Sequence, residues 1–195
     1  MPCYKFKDWT PVVSTSSYVH PTAVLIGNVI IREKVYIGPG AVLRGDWGKI
    51  LIEDGCNVQE NCVVHMFPGT MVHLHKNAHV GHGAVIHGAV LQENCLIGMN
   101  SVVMDDAVIG EDSIIGALSF VSSKQTIPPN SLAVGNPAKV IRSLTQEQIE
   151  WKTDGTKYYQ KLPFDNENHL NECEPLSAVE QNRPEQISDY KTWAK

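Results

Sequence analysis

Six of the chain's eight histidines lie between Val64 and Gly88, in the stretch VHMFPGTMVHLHKNAHVGHGAVIHG. Imidazole ligates zinc and its neighbours and moves protons near neutral pH, so chemistry is expected here. Apolar residues recur at Val64, Leu74, Val80 and Ile86, six apart except for one four-residue insertion. His65 and His87 directly follow such a residue, whereas His82 sits one place further on. These three are the candidate metal ligands. His20, His73, His75, His79 and His169 read as ordinary solvated or hydrogen-bonded side chains.

Such offsets require a repeating element. Val19, Leu25, Ile31, Ile37 and Leu43 are six apart, and Ala23, Val29, Val35 and Ala41 follow the first four at a fixed offset. The segment RGDWGKIL adds three residues before Ile52, Val58 and Val64, and MFPGT adds more before Leu74. A five-residue step leads from Ile86 to Leu91, and Ile97, Val103, Ile109, Ile115, Val121 and Ile127 then keep the period. One apolar and one small residue per hexad is the signature of a parallel β-helix. Three hexads form a coil that rises by one strand spacing of about 4.8 Å, and the repeats amount to about six coils.

The expected fold is therefore an all-β solenoid, a parallel β-helix of hexapeptide repeats with a C-terminal α-helix. Residues 1–18 read as an extended lead-in, 19–142 as the β-helix, 143–175 as a helical segment and 176–195 as a tail. Thr145 with Gln148 makes a capping box, and Pro163 is expected to stop or kink the helix. Ile149, Lys152, Thr156 and Tyr159 line one side of it, and Tyr190 and Trp193 in the tail are candidates to dock. Cys56, Cys62 and Cys95 fall at the small-residue offset and read as packing residues.

Stacked coils place Arg44, His65 and His87 in one column, while His82 belongs to the preceding face. Three copies packed about a threefold axis bring His82 of one copy to His65 and His87 of the next, so the spacing predicts three shared metal sites per homotrimer. Gln59 and Glu60 share the face of His82, with Glu60 one coil beneath it and able to accept its second ring proton.

Composition narrows the function classes. The net charge is −5 with no basic block, which argues against a nucleic-acid partner. No signal-peptide pattern and no apolar run long enough to span a bilayer is present, so a cytoplasmic chain with no membrane partner is expected. The five cysteines form no CxxC pair, which argues against a disulfide framework or a cysteine zinc site.

The segments RGDWGKILIEDGCNVQENCVVH, VGHGAVIHG and VGNPAKVIR resemble the γ-class carbonic anhydrase family of left-handed hexapeptide β-helices, over roughly residues 10–160. The resemblance implies the left hand, a homotrimer, and zinc, with iron or cobalt as alternatives, held by His65, His82 and His87 at each subunit interface. It also matches Arg44, Asp46 and Gln59 to residues that family members use, whereas Glu60 stands where aspartate is usual. The segment WKTDGTKYYQ is similar to members of this family regarded as thioesterases on CoA thioesters of ring-hydroxylated acids in phenylacetate catabolism, whereas EQNRP is similar to members that belong to carnitine operons.

The expected activity is therefore metal-dependent hydrolysis of an acyl-CoA, with Arg44, Asp46, Gln59, Glu60 and Tyr159 as catalytic candidates. Carbon dioxide hydration to bicarbonate is the alternative. A fast hydratase needs a proton relay, yet Trp47 follows Asp46 and Met66–Met71 holds no carboxylate, which leaves His73, His75 or Tyr159. A CoA-dependent acyltransferase and a metal-clamped trimeric scaffold are further readings.

Overall fold

A computed structural model describes residues 2–188 and 190. The repeat residues pair as their spacing requires. Val102 lies opposite Phe120 and Val108 opposite Thr126, so the regular coil is eighteen residues. The insertions lengthen two coils, because Leu43 pairs with Val64 and Val64 with Ile86, twenty-one and twenty-two residues on.

Three flat faces result. The first carries Tyr18–Val19, Tyr36–Ile37, Asn57–Val58, His79–Val80, Leu96–Ile97, Ile114–Ile115 and Ser131–Val134, all parallel. That makes seven rungs among the described residues, against the six coils counted from the spacing, because Ala133 continues the column beyond Ile127. The second face carries Val63–His65, Val85–His87, Val102–Val103 and Phe120–Val121. The third carries Met71–Leu74, Val90–Leu91, Val108–Ile109 and Thr126–Ile127. Two long strands, Val24–Ile31 and Val42–Ile52, turn the corner between the second and third faces.

The column residues fill the interior: Leu25, Leu43, Val64, Ile86 and Val103 are fully buried. Outward-facing neighbours alternate with them, which is how a histidine next to a column residue reaches the surface. Cys56, Cys62 and Cys95 are buried free thiols. Burial pushes the Cys62 thiol up to about 11 and that of Cys95 to about 12, as packing residues require.

Added strands cover part of each end, which leaves fewer open edges to template aggregation. Lys139–Ser143 folds back antiparallel on Ser131–Val134. At the other end the lead-in is more than extended chain, because Cys3–Tyr4 and Val12–Val13 add short parallel strands to Val24–Ile31.

The helix α1 (Gln146–His169) packs on the first face, with the Thr145–Gln148 capping box present. Pro163 does not stop it, and the helix runs on to His169. Pro163 is buried, so packing offsets the loss of one backbone donor. The attachment is largely polar. Lys152 Nζ donates to Asn94 Oδ1 at 2.6 Å and to the Asn77 carbonyl at 3.2 Å, and Gln160 Nε2 donates to Asn77 Oδ1 at 2.8 Å. Tyr190 stacks edge-on against Tyr158 at 5.1 Å between ring centroids, whereas Trp193 lies outside the described residues. No helix among the described residues is long and apolar enough to cross a membrane.

Candidate metal centre

His65 and His87 end neighbouring strands of the second face and are register partners, with ring centroids 5.4 Å apart. Each is held at Nδ1 by a group that can only accept. His65 Nδ1 lies 2.7 Å from the carbonyl oxygen of Arg44, one coil below. His87 Nδ1 lies 2.7 Å from Asp105 Oδ1, one coil above. A carbonyl or carboxylate oxygen cannot donate, so both rings carry their proton on Nδ1 and keep Nε2 as a lone pair. His65 Nε2 is buried and has no hydrogen-bond partner, an orphaned polar atom that a metal bond would satisfy.

Gly88 makes the Asp105 contact feasible. It has φ +58°, and a Cβ there would overlap the Asp105 carboxylate.

His82 follows the same rule on the first face. Its Nδ1 is bonded to Glu60 Oε2, and Tyr36 Oη donates to Glu60 Oε1 at 2.9 Å. Burial pushes the Glu60 carboxyl up, but its own backbone N–H, Tyr36 and His82 together hold it below its ordinary value. All three candidate ligands thus present Nε2, with an oxygen acceptor behind each ring. Within one chain they do not converge. Among the described residues, the one group of three such side chains whose donor atoms lie within 4.8 Å of one another is Glu53, His73 and His75.

The remaining candidates fall around these two half-sites. Arg44 pairs with Asp46 at 2.9 Å, and its guanidinium lies 5.2 Å from the Trp47 ring centroid. Asp46 Oδ1 is buried without a partner, 3.8 Å from His65 Nδ1. Trp47 packs against His65 and Phe67 against His87, at 5.1 and 5.0 Å between centroids. Apolar rings therefore flank the histidine column.

Gln59 is buried beneath α1. Its Nε2 donates to Asn57 Oδ1 at 2.9 Å and to His79 Nε2 at 2.6 Å, so within the chain its amide hydrogens are directed away from the His65–His87 column. Tyr159 packs against Tyr36 and His79 at 5.9 and 5.1 Å. Burial pushes its phenol up to about 12, so at neutral pH it is a hydroxyl donor and no base.

A cavity of about 640 Å³ opens between α1 and the first face, lined by Glu60, Leu96, Trp151, Tyr158, Tyr159 and Tyr190 among others. Its wall includes the carboxylate that holds His82.

Residues 88–123 match the bacterial transferase hexapeptide pattern of six repeats. Carnitine operon protein CaiE of Citrobacter koseri is 50% identical over 184 residues, covering 94% of this chain and 93% of that protein. CaiE of Salmonella agona is 47% identical over the same shares. The chain belongs to the CaiE family of hexapeptide-repeat proteins. A solved structure from Bacillus cereus, provisionally named an acetyltransferase, is 36% identical with a TM-score of 0.81, over 83% of this chain and 94% of that one.

Two residues in this CaiE-family chain, Asp105 and Tyr36, are not singled out by the sequence. Asp105 lies eighteen residues after His87, one regular coil, and that period could have found it. Tyr36 owes its importance to Glu60, a contact that no local spacing encodes, whereas His79 is hydrogen-bonded as expected, to Gln59 and Thr156.

Proposed function

We propose that the protein is a metal-dependent thioesterase acting on an acyl-CoA, working as a homotrimer in which His65 and His87 of one subunit and His82 of the next hold one zinc ion. The observation that carries this reading is the common arrangement of the three imidazoles, each with Nδ1 on an oxygen acceptor and Nε2 left as ligand. The buried, unpartnered Nε2 of His65 fits a metal and fits no group of its own chain. A divalent ion held by three imidazoles lowers the pKa of a bound water to about 7 and so supplies a nucleophile at neutral pH.

The chain's residues do the rest. Asp105, Glu60 and the Arg44 carbonyl hold the Nδ1 protons and orient the rings. Asp46 positions the Arg44 guanidinium, whose other N–H groups suit the negative charge that develops on a thioester carbonyl oxygen. Trp47 and Phe67 lay apolar ring surface against the column.

The cavity beside Glu60 favours a bulky acyl group over carbon dioxide, which needs none. The resemblance to phenylacetic acid degradation protein PaaY points to a ring-hydroxylated acyl group, and the CaiE relatives' name to a carnitine-like one. The aromatic wall suits either, since aromatic faces stack on rings and attract quaternary ammonium groups. The Bacillus cereus relative's name suggests acyl transfer, in which an acceptor other than water takes the acyl group.

The test is release of CoA thiol from zinc-loaded protein with hydroxyphenylacetyl-CoA, carnitinyl-CoA and acetyl-CoA, beside carbon dioxide hydration. Thioester cleavage in water that is lost in His87→Ala supports the proposal. Hydration alone, or release only when an amine acceptor is added, overturns it.

A further inference from the structure

The third face carries a second cluster of side chains of the types that ligate metals. In the strand Met71–Leu74, Leu74 points into the core, and His73 and His75 on either side of it point outward. The neighbouring strand pairs Ile52 with Leu74, so Glu53 follows Ile52 as His75 follows Leu74. The three side chains consequently meet. Glu53 Oε1 lies 2.8 Å from His73 Nε2 and 3.6 Å from His75 Nδ1, and the two imidazole centroids are 3.8 Å apart.

Two imidazole nitrogens and one carboxylate oxygen form a donor set that zinc, nickel and copper(II) favour. Bonds of about 2.1 Å at tetrahedral or octahedral angles require donors roughly 3.0–3.4 Å apart, and the two observed separations bracket that range. The side chains are 18%, 31% and 26% exposed for His73, His75 and Glu53, buried enough to be held in place and open enough for water to complete the coordination.

We propose that Glu53, His73 and His75 form an accessory site for a divalent transition metal, complete within one chain and separate from the shared His65–His82–His87 centre. Because all three ligands come from adjacent strands of one protomer, this site needs no neighbour. A monomer binds metal there as well as a trimer does.

Zinc content after equilibrium dialysis of metal-stripped, full-length protein tests this. The wild type should retain about two equivalents per chain and His73→Gln/His75→Gln about one, while His65→Ala/His87→Ala keeps about one. Glu53→Gln, which preserves shape and leaves the core untouched, should weaken the accessory zinc at least about tenfold in a chelator competition. Unchanged zinc content in His73→Gln/His75→Gln, or unchanged affinity in Glu53→Gln, overturns the inference. Zinc that persists fully in His65→Ala/His87→Ala and vanishes in His73→Gln/His75→Gln upholds it and instead defeats the shared centre.

Discussion

At the scale of single residues, the groups behind the histidines matter as much as the histidines themselves. Asp105 accepts the Nδ1 proton of His87 and so fixes the tautomer that exposes Nε2. In Asp105→Asn the amide can turn its NH₂ toward the ring and favour the opposite tautomer. Zinc affinity at the shared centre should fall about 10–100-fold, read by competition with a chromophoric chelator, with little change in fold. An unchanged affinity would mean that Asp105 is an incidental neighbour. This residue was within reach of the sequence, since it lies one eighteen-residue coil after His87. His65, His82 and His87 stood out because their offsets from Val64, Val80 and Ile86 were regular and unusual. The acceptor behind His65 is a backbone carbonyl, which has no residue type to recognise, and the one behind His87 becomes visible only when the coil length is known.

At the scale of elements, the six-residue period revealed the β-helix, its insertions and its core columns, because burial acts on every rung alike. The helix α1 was legible at its start, where Thr145 and Gln148 form a local motif, and misleading at Pro163, where packing decides. Its footing was not legible, since Lys152 reaches asparagines far away in sequence. Beneath it lies His79, with Nε2 on Gln59 and Nδ1 near Thr156. Burial, helped by Lys152 and His82, pushes its pKa down to about 3 from an ordinary 6.5. Since the unfolded chain binds that proton and the folded one does not, stability is full above about pH 6.5 and falls as the pH drops toward 3. Acidification to about pH 4.5 should cost on the order of 3 kcal/mol through this group alone, and His79→Gln should flatten the acid limb of urea unfolding curves by about that amount. An equally steep limb in the variant would show that other groups govern acid stability.

At the scale of the whole molecule, His82 lies on a different face of the solenoid from His65 and His87, so the proposed centre needs a neighbouring chain to complete it. The cavity under α1 adjoins the half-site that carries His82, so a bound acyl group and the metal would meet at the seam between subunits. Family membership rests on the CaiE relatives; the shared centre itself is best tested by complementation. His82→Ala chains keep the His65–His87 half-site, and His87→Ala chains keep His82. Each variant alone should lack the metal at the seam and release no CoA. Co-refolded in equal amounts, three-quarters of the trimers are mixed and each regains one intact site in three, so about a quarter of the wild-type activity should return. Recovery near that level is the result the shared centre requires. Activity that stays absent in the mixture, while both variants still assemble, would contradict it.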